Sequence, residues 1–214
     1  MATNNSIGYE VLDEDTLSSD SNTAVATQQS IKAYIDAQVS TGNFVHVTTQ
    51  TASAVATIDF TGLDSTYSVY MVYYYGLLPV TDTAMPTLRI GTGGTPTYQT
   101  TNYRWANYTV DYNSASAGSG SSSDSKINMI YSGGQGNAST EHISGIILLP
   151  NPASSSYQQD IIIDSTRVNA ANVYARDLTA GRYAANTAVT ALRMYYSTGN
   201  ISVGTFKLYG LTGS

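Results

Sequence analysis

The chain contains no cysteine. That excludes a disulfide scaffold, a zinc ribbon, an iron–sulfur site and a cysteine nucleophile. Charge is also scarce: 11% of the 214 residues are Asp, Glu, Lys or Arg, against about a quarter in an average soluble protein. The balance is acidic, with a formal net charge of −6. Binding to nucleic acid needs clustered Lys and Arg, and so does a polybasic membrane anchor, so neither is expected. The longest apolar run, Ile143 to Pro150, falls far short of the about 20 residues that cross a bilayer, and no membrane insertion is expected. The opening MATNNSIGYEVLDEDT has neither the basic nor the apolar region of a secretory signal, so the expectation is a soluble product made in the cytoplasm.

Chemistry-bearing motifs are equally sparse. His46 and His142 each stand alone, outside any H-E-x-x-H pattern, and read as structural or surface residues. The glycine clusters Gly91-Thr92-Gly93-Gly94 and Gly133-Gly134-Gln135-Gly136 lack the Gly-Lys-Ser/Thr ending of a phosphate loop and open no helix, so they read as tight turns. There is no G-x-S-x-G elbow for a nucleophilic serine. Asp59, Asp64 and Asp82 sit at strand ends or in loops without the D-x-D-x-D-G spacing of a calcium loop. The expectation is no catalytic residue, no cofactor and no metal.

What the chain does have is tyrosine: 18 Tyr against 3 Phe and 1 Trp. Tyrosine favours strands, and its ring is apolar with a polar tip, which suits two-faced sheets and contact surfaces. From Phe44 onward short runs rich in β-branched and aromatic residues alternate with turn residues. They cover Phe44–Thr48, Thr57–Phe60, Val69–Tyr75, Thr87–Ile90, Tyr103–Val110, Ile127–Tyr131, His142–Leu149, Gln159–Asp164, Val173–Arg176, Ala191–Tyr196 and Val203–Tyr209. With no helical pattern between them, this predicts an all-β, mostly antiparallel sandwich or barrel. The low-complexity run Ser114–Ser125 cannot bury apolar surface and reads as a solvated loop. Clusters such as Tyr70, Tyr73, Tyr74 and Tyr75 read first as core and subunit seam, and otherwise as a surface for sugars or proteins.

Ahead of this domain the pattern differs. Residues 1–22 are polar and acidic and read as an extended arm, with Ile7, Tyr9, Val11 and Leu12 able to order against a partner. Residues 23–40 form the one convincing helix, capped by Asn22 or Thr23 and ending near Thr41–Gly42–Asn43. Its stripe is Val25, Gln28, Ile31, Ile35 and Val39, with Tyr34 beside it. A helix of about 15 residues is marginal alone in water. It must dock on its own domain or on copies of itself, and a narrow stripe mixed with Gln matches a short parallel bundle. The division expected is an arm at 1–22, an oligomerisation helix at 23–43 and a β domain at 44–214.

Two stretches carry a resemblance. Val11-Leu12-Asp13-Glu14-Asp15-Thr16-Leu17-Ser18-Ser19-Asp20-Ser21, followed by Ala26-Thr27-Gln28-Gln29-Ser30-Ile31-Lys32-Ala33-Tyr34-Ile35-Asp36, resembles a segment of phage tail-fibre and related virion proteins. There an acidic lead precedes A-T-Q-Q-S-I-K-A-Y-V-D. Here Thr16-Leu17 replaces an acid and a Met, and Ile35 replaces Val. Ile58–Leu63, Leu88–Gly94, Tyr98–Tyr103 and Phe206–Gly210 look like the β heads of marine phage fibres. The resemblance implies a virion protein made in the host cytoplasm: a homotrimer with an attachment arm that holds another virion protein, a three-helix stalk and a jelly-roll-like head that binds a host surface glycan or protein. In such a stalk Ile31, Tyr34 and Ile35 face sister copies, with Gln28 and Gln38 as polar layers. Recognition falls to distal loops, with Ser119, Ser122, Gly134, Gln135 and Asn137 as candidates. The alternatives are a capsid decoration or head fibre, a polysaccharide depolymerase head (which usually needs longer repetitive sequence) and a carbohydrate-binding module.

Overall fold

A computed structural model describes residues 10–14, 16–18, 24–39 and 44–211. These divide into two units, the described residues before 44 and Phe44–Leu211.

The first unit holds strands β1 (Glu10–Leu12) and β2 (Ala24–Ala26) and helix α1 (Gln28–Val39). β1 and β2 run parallel, with Val11 opposite Val25. The Thr27 amide continues the ladder by donating to the Leu12 carbonyl at 3.0 Å. The helix starts later than its sequence predicts. Ala24–Ala26 is drawn into the ladder, and Thr27 is the cap: its Oγ1 accepts from the Ser30 amide at 3.1 Å. Asn22, Thr23 and Thr41–Asn43 lie outside the described residues.

The second unit is all-β, as expected. Its larger sheet contains β3 (Phe44–Val55), β5 (Val69–Pro79), β8 (Tyr103–Asp111), β9 (Ser116–Asp124), β11 (Ile143–Pro150), β12 (Gln159–Val168), β13 (Tyr174–Tyr183) and β15 (Ile201–Leu211). Its smaller sheet contains β4 (Ile58–Thr61), β6 (Pro86–Thr92), β7 (Thr97–Tyr98), β10 (Ile127–Asn128) and β14 (Val189–Tyr196). The strand orders are β3-β15-β5-β11-β12-β13-β8-β9 and β10-β6-β14-β4, with β7 on β6. Every pairing in both sheets is antiparallel.

Period-two alternation turns one face of each sheet inward, and both sheets contribute to one core that includes Phe60, Leu88, Ile90, Ile147, Leu149 and Phe206. Tyrosine divides by the same alternation along β5: Tyr70 and Tyr74 are buried, whereas Tyr73 and Tyr75 face outward. Tyr74 and Tyr103 keep their buried hydroxyls paired. Tyr74 Oη lies 2.9 Å from Ser165 Oγ, and burial pushes its phenol well above the ordinary range. Tyr103 Oη accepts the Ile90 amide at 2.9 Å. Tyr103→Phe therefore strands a buried N–H, and we expect it to cost the head about 1–3 kcal/mol. Urea unfolding should give a lower midpoint at unchanged slope; an unchanged midpoint would show that the amide finds another partner.

One segment departs from its composition. Ser114–Ser125 reads as a loop, yet Ser116–Asp124 forms the edge strand β9, paired along β8 from Tyr103 to Val110. Backbone hydrogen bonds need no apolar side chain, so β8 templates a strand that the run of Ser and Gly does not signal. The ladder shifts register between Tyr103 and Trp105, and the turn before the strand is also irregular. There Asp111 Oδ1 accepts the amides of Asn113 and Ala115, and Ser114 takes a φ of +63°.

Candidate oligomerisation surface and recognition face

α1 is a helix without a core of its own. Ser30 is fully buried and Ala33 partly so. Gln28, Ile31, Tyr34 and Ile35 are exposed, Ile31 at 46% and Ile35 at 52%. Ile31, Tyr34 and Ile35 follow the i, i+3, i+4 spacing of one helical face. Gln38 belongs to the last turn, and its side chain lies outside the described part. The buried side of the helix is polar: Asp13 Oδ1 accepts from Thr27 Oγ1 at 2.7 Å and from Ser30 Oγ at 3.1 Å. This clip sets a carboxylate near the positive end of the helix and joins the acidic lead to the A-T-Q-Q-S-I-K segment. Of the arm residues, Val11 is exposed and Leu12 half-buried in β1, and Ile7 and Tyr9 lie outside the described residues. The apolar side chains Val11, Val25, Ile31, Tyr34 and Ile35 thus all remain exposed.

The expected recognition residues separate. Ser119 and Ser122 are exposed, but on strand β9 and not on a loop; Ser119 Oγ donates to Asn107 Oδ1 at 2.7 Å. Asn137 is exposed and donates to the Val80 carbonyl at 3.1 Å. Gly134 and Gln135, however, are buried, which corrects their reading as surface groups. Gln135 donates to the carbonyls of Leu77 and Glu141, and its Oε1 accepts from Tyr196 Oη. A Cβ on Gly134 would stand 2.0 Å from the Thr83 carbonyl oxygen, at a φ of +66°. A receptor cannot reach side chains consumed in this way.

This segment is pinned by a buried ion pair. Arg167 is 3% exposed. Its Nε donates to Asp177 Oδ2 and a terminal nitrogen to the Gly134 carbonyl, both at 2.7 Å. Asp177 Oδ1 accepts the Tyr131 amide at 2.8 Å. Nearby, Asn107 Nδ2 donates to the Ile130 carbonyl at 2.8 Å and Thr179 Oγ1 to that of Met129 at 3.2 Å. Polar side chains at the inner positions of β8, β12 and β13 therefore hold the passing backbone of residues 129–134.

The opposite face of the larger sheet carries exposed apolar side chains among its charges. Tyr108, Leu178, Ile162, Tyr73 and Tyr75 are all exposed. The strand registers align Tyr108, Leu178, Asp164, Ile146, Tyr73, Lys207 and Thr49 across the sheet. The charges on this face are largely paired within it. Asp164 takes two bonds from Arg176 and Asp160 two from Arg182. The Arg176 guanidinium holds the Asp164 carboxyl below the usual carboxylate range. Along Tyr174–Tyr183 alternation does not say which face is inward, because Leu178 shares its face with Arg176 and Arg182; the structure buries the face of Asp177 and Thr179 and exposes that of Leu178.

His46 lies on β3, exposed, 2.8 Å from Thr49 Oγ1 and edge-on to Tyr209. Asp59 receives two bonds from Arg193, and Asp64 accepts from Tyr70 Oη. Among the described residues no three His, Cys, Asp or Glu side chains converge as a metal site, and no helix is long and apolar enough to cross a membrane. The chain matches no protein-family model and no curated protein.

Proposed function

We propose that the chain is a non-enzymatic, adhesive component of a phage particle: a homotrimeric tail fibre with an attachment arm, a short stalk built on α1 and a jelly-roll-like head. The observation that carries this reading is the exposed stripe Ile31, Tyr34 and Ile35 on a helix of 12 residues. Such a helix does not persist alone, and full burial of a large apolar side chain stabilises by about 1.5–3 kcal/mol. Sister helices supply that burial, and the acidic lead followed by A-T-Q-Q-S-I-K is the segment that resembles virion proteins.

Three heads on one stalk bind a repetitive surface in concert. A weak site repeated on linked copies gains strength through effective concentration without any new contact. Made in the host cytoplasm, the protein would join the particle through residues 1–22 and meet the host through the head. Deleting residues 1–22 should leave a folded protein that no longer joins particles, read by immunoblotting of purified virions. Incorporation at the normal level would overturn the attachment role.

A further inference from the structure

The outer face of the larger sheet carries a groove made by register. Gly120, Ala106 and Ala180 stand directly opposite one another on β9, β8 and β13, and all three are exposed. None has a side chain beyond Cβ, so the three form a floor that ends at Ile162, the partner of Ala180 on β12. Two residues along the strands on one side stand Arg104, Arg182 and Asp160, again in register. Two residues along on the other side stand Tyr108 and Leu178. Strands rise about 3.4 Å per residue, so these walls are about 13 Å apart, backbone to backbone. That admits one six-membered sugar ring between side chains. The open space beside the arginine wall measures about 380 Å³, and a second depression of about 480 Å³ continues past Asp160 and Arg182 to Tyr157 and Asn186.

The two walls differ in chemistry. Arg182 is neutralised by Asp160, to which it donates through Nε and a terminal nitrogen. The Arg104 side chain beside it is exposed, and its guanidinium has no hydrogen-bond or ion-pair partner among the described residues. The arginine wall thus offers one uncompensated guanidinium in a protein of net charge −6. Opposite it, Tyr108 and Leu178 expose apolar surface, Tyr108 at 48%. A guanidinium recognises a carboxylate in a planar, two-bonded geometry, and an aromatic ring covers the apolar face of a sugar. One free positive charge balances one carboxylate.

We infer that this groove binds a carboxylated sugar, a uronic-acid-type unit of an acidic surface polysaccharide, with Arg104 on the carboxylate and Tyr108 against the ring. The inference rests on the reading of the head as a surface-binding module and names its ligand class. The test uses the full chain with a galacturonate tetrasaccharide, its carboxyl-reduced counterpart and a tetraglutamate peptide, followed by titration calorimetry. The acidic sugar should bind, and the reduced sugar and the peptide should each bind at least about ten-fold more weakly, as loss of one charge-assisted contact implies. Arg104→Ala should weaken binding by about ten-fold or more. Ala180→Phe, which fills the floor from an exposed position, should abolish it. Equal binding of the reduced sugar or of the peptide, wild-type affinity in either variant, or no binding of the acidic sugar at about 10 mM would overturn the assignment. The mass of the same sample in solution separates the two readings: a single chain that binds the acidic sugar keeps the groove and loses the fibre, and a trimer that does not bind it loses the groove alone.

Discussion

Replacing Ile31 and Ile35 together by Asp should reduce the particle in solution to single chains of 22.7 kDa. Both side chains are about half exposed and neither belongs to the core of the β unit, so the substitutions should not unfold that unit. In a bundle each copy would instead have to bury two carboxylates against two others, and burial of an unpaired charge costs far more than the apolar contact it replaces. The lost apolar burial adds about 1.5–3 kcal/mol per side chain. Lys32 and Asp36, an exposed pair one turn apart, provide the control: Lys32→Ala changes a surface ion pair that contributes at most about 1 kcal/mol and should leave the mass of the oligomer unchanged. Light scattering reads both variants, and far-UV circular dichroism should report the same strand content in each. An Ile31/Ile35 double variant that keeps the wild-type mass would mean that α1 is not the seam.

Asp177→Ala should be the most damaging single change in the head. It removes the counter-charge from an arginine that is 3% exposed and the acceptor for the Tyr131 amide. Breaking a buried pair from one side costs about 3–5 kcal/mol because the remaining charge has no partner. For a domain of this size each kcal/mol lowers the melting temperature by about 2–4 °C, so a fall of about 6–20 °C is expected by calorimetry. Arg167→Met with Asp177→Leu removes both charges and should recover part of the loss. If the single variant melts within about 2 °C of wild type, the segment 131–135 is held by something other than this pair.

The two unit types were legible from opposite kinds of evidence. Strands such as Val69–Pro79 and Val189–Tyr196 announce themselves, because β-branched and aromatic residues crowd them and turn residues close them. β9 does not, since its strand character is lent by the edge of β8. β2 was hidden for a related reason: Ala24–Ala26 continues the helical composition of the next turn, and only pairing with Glu10–Leu12 pulls it straight. Gln135 looks like a loop residue because the partners that bury it come from Leu77, Glu141 and Tyr196, the last 61 positions away. The inward face of β13 follows from the same non-local cause: Asp177 is inside because Arg167 and the Tyr131 amide are there to meet it.

The candidate sites divide likewise. The helix stripe could be read from spacing alone, since Ile31, Tyr34 and Ile35 share a face in any α-helix. The groove could not. Gly120, Ala106 and Ala180 are unremarkable in the chain and become a floor only when three strands lie in one register. Arg104 gains meaning from the company of Arg182, whose charge is already met by Asp160.

Sedimentation equilibrium of the purified full chain, run over a range of concentrations, bears on the central claim most directly. Shelter of α1 among sister helices predicts a species of three times 22.7 kDa that persists on dilution. A concentration-independent mass of 22.7 kDa would contradict it.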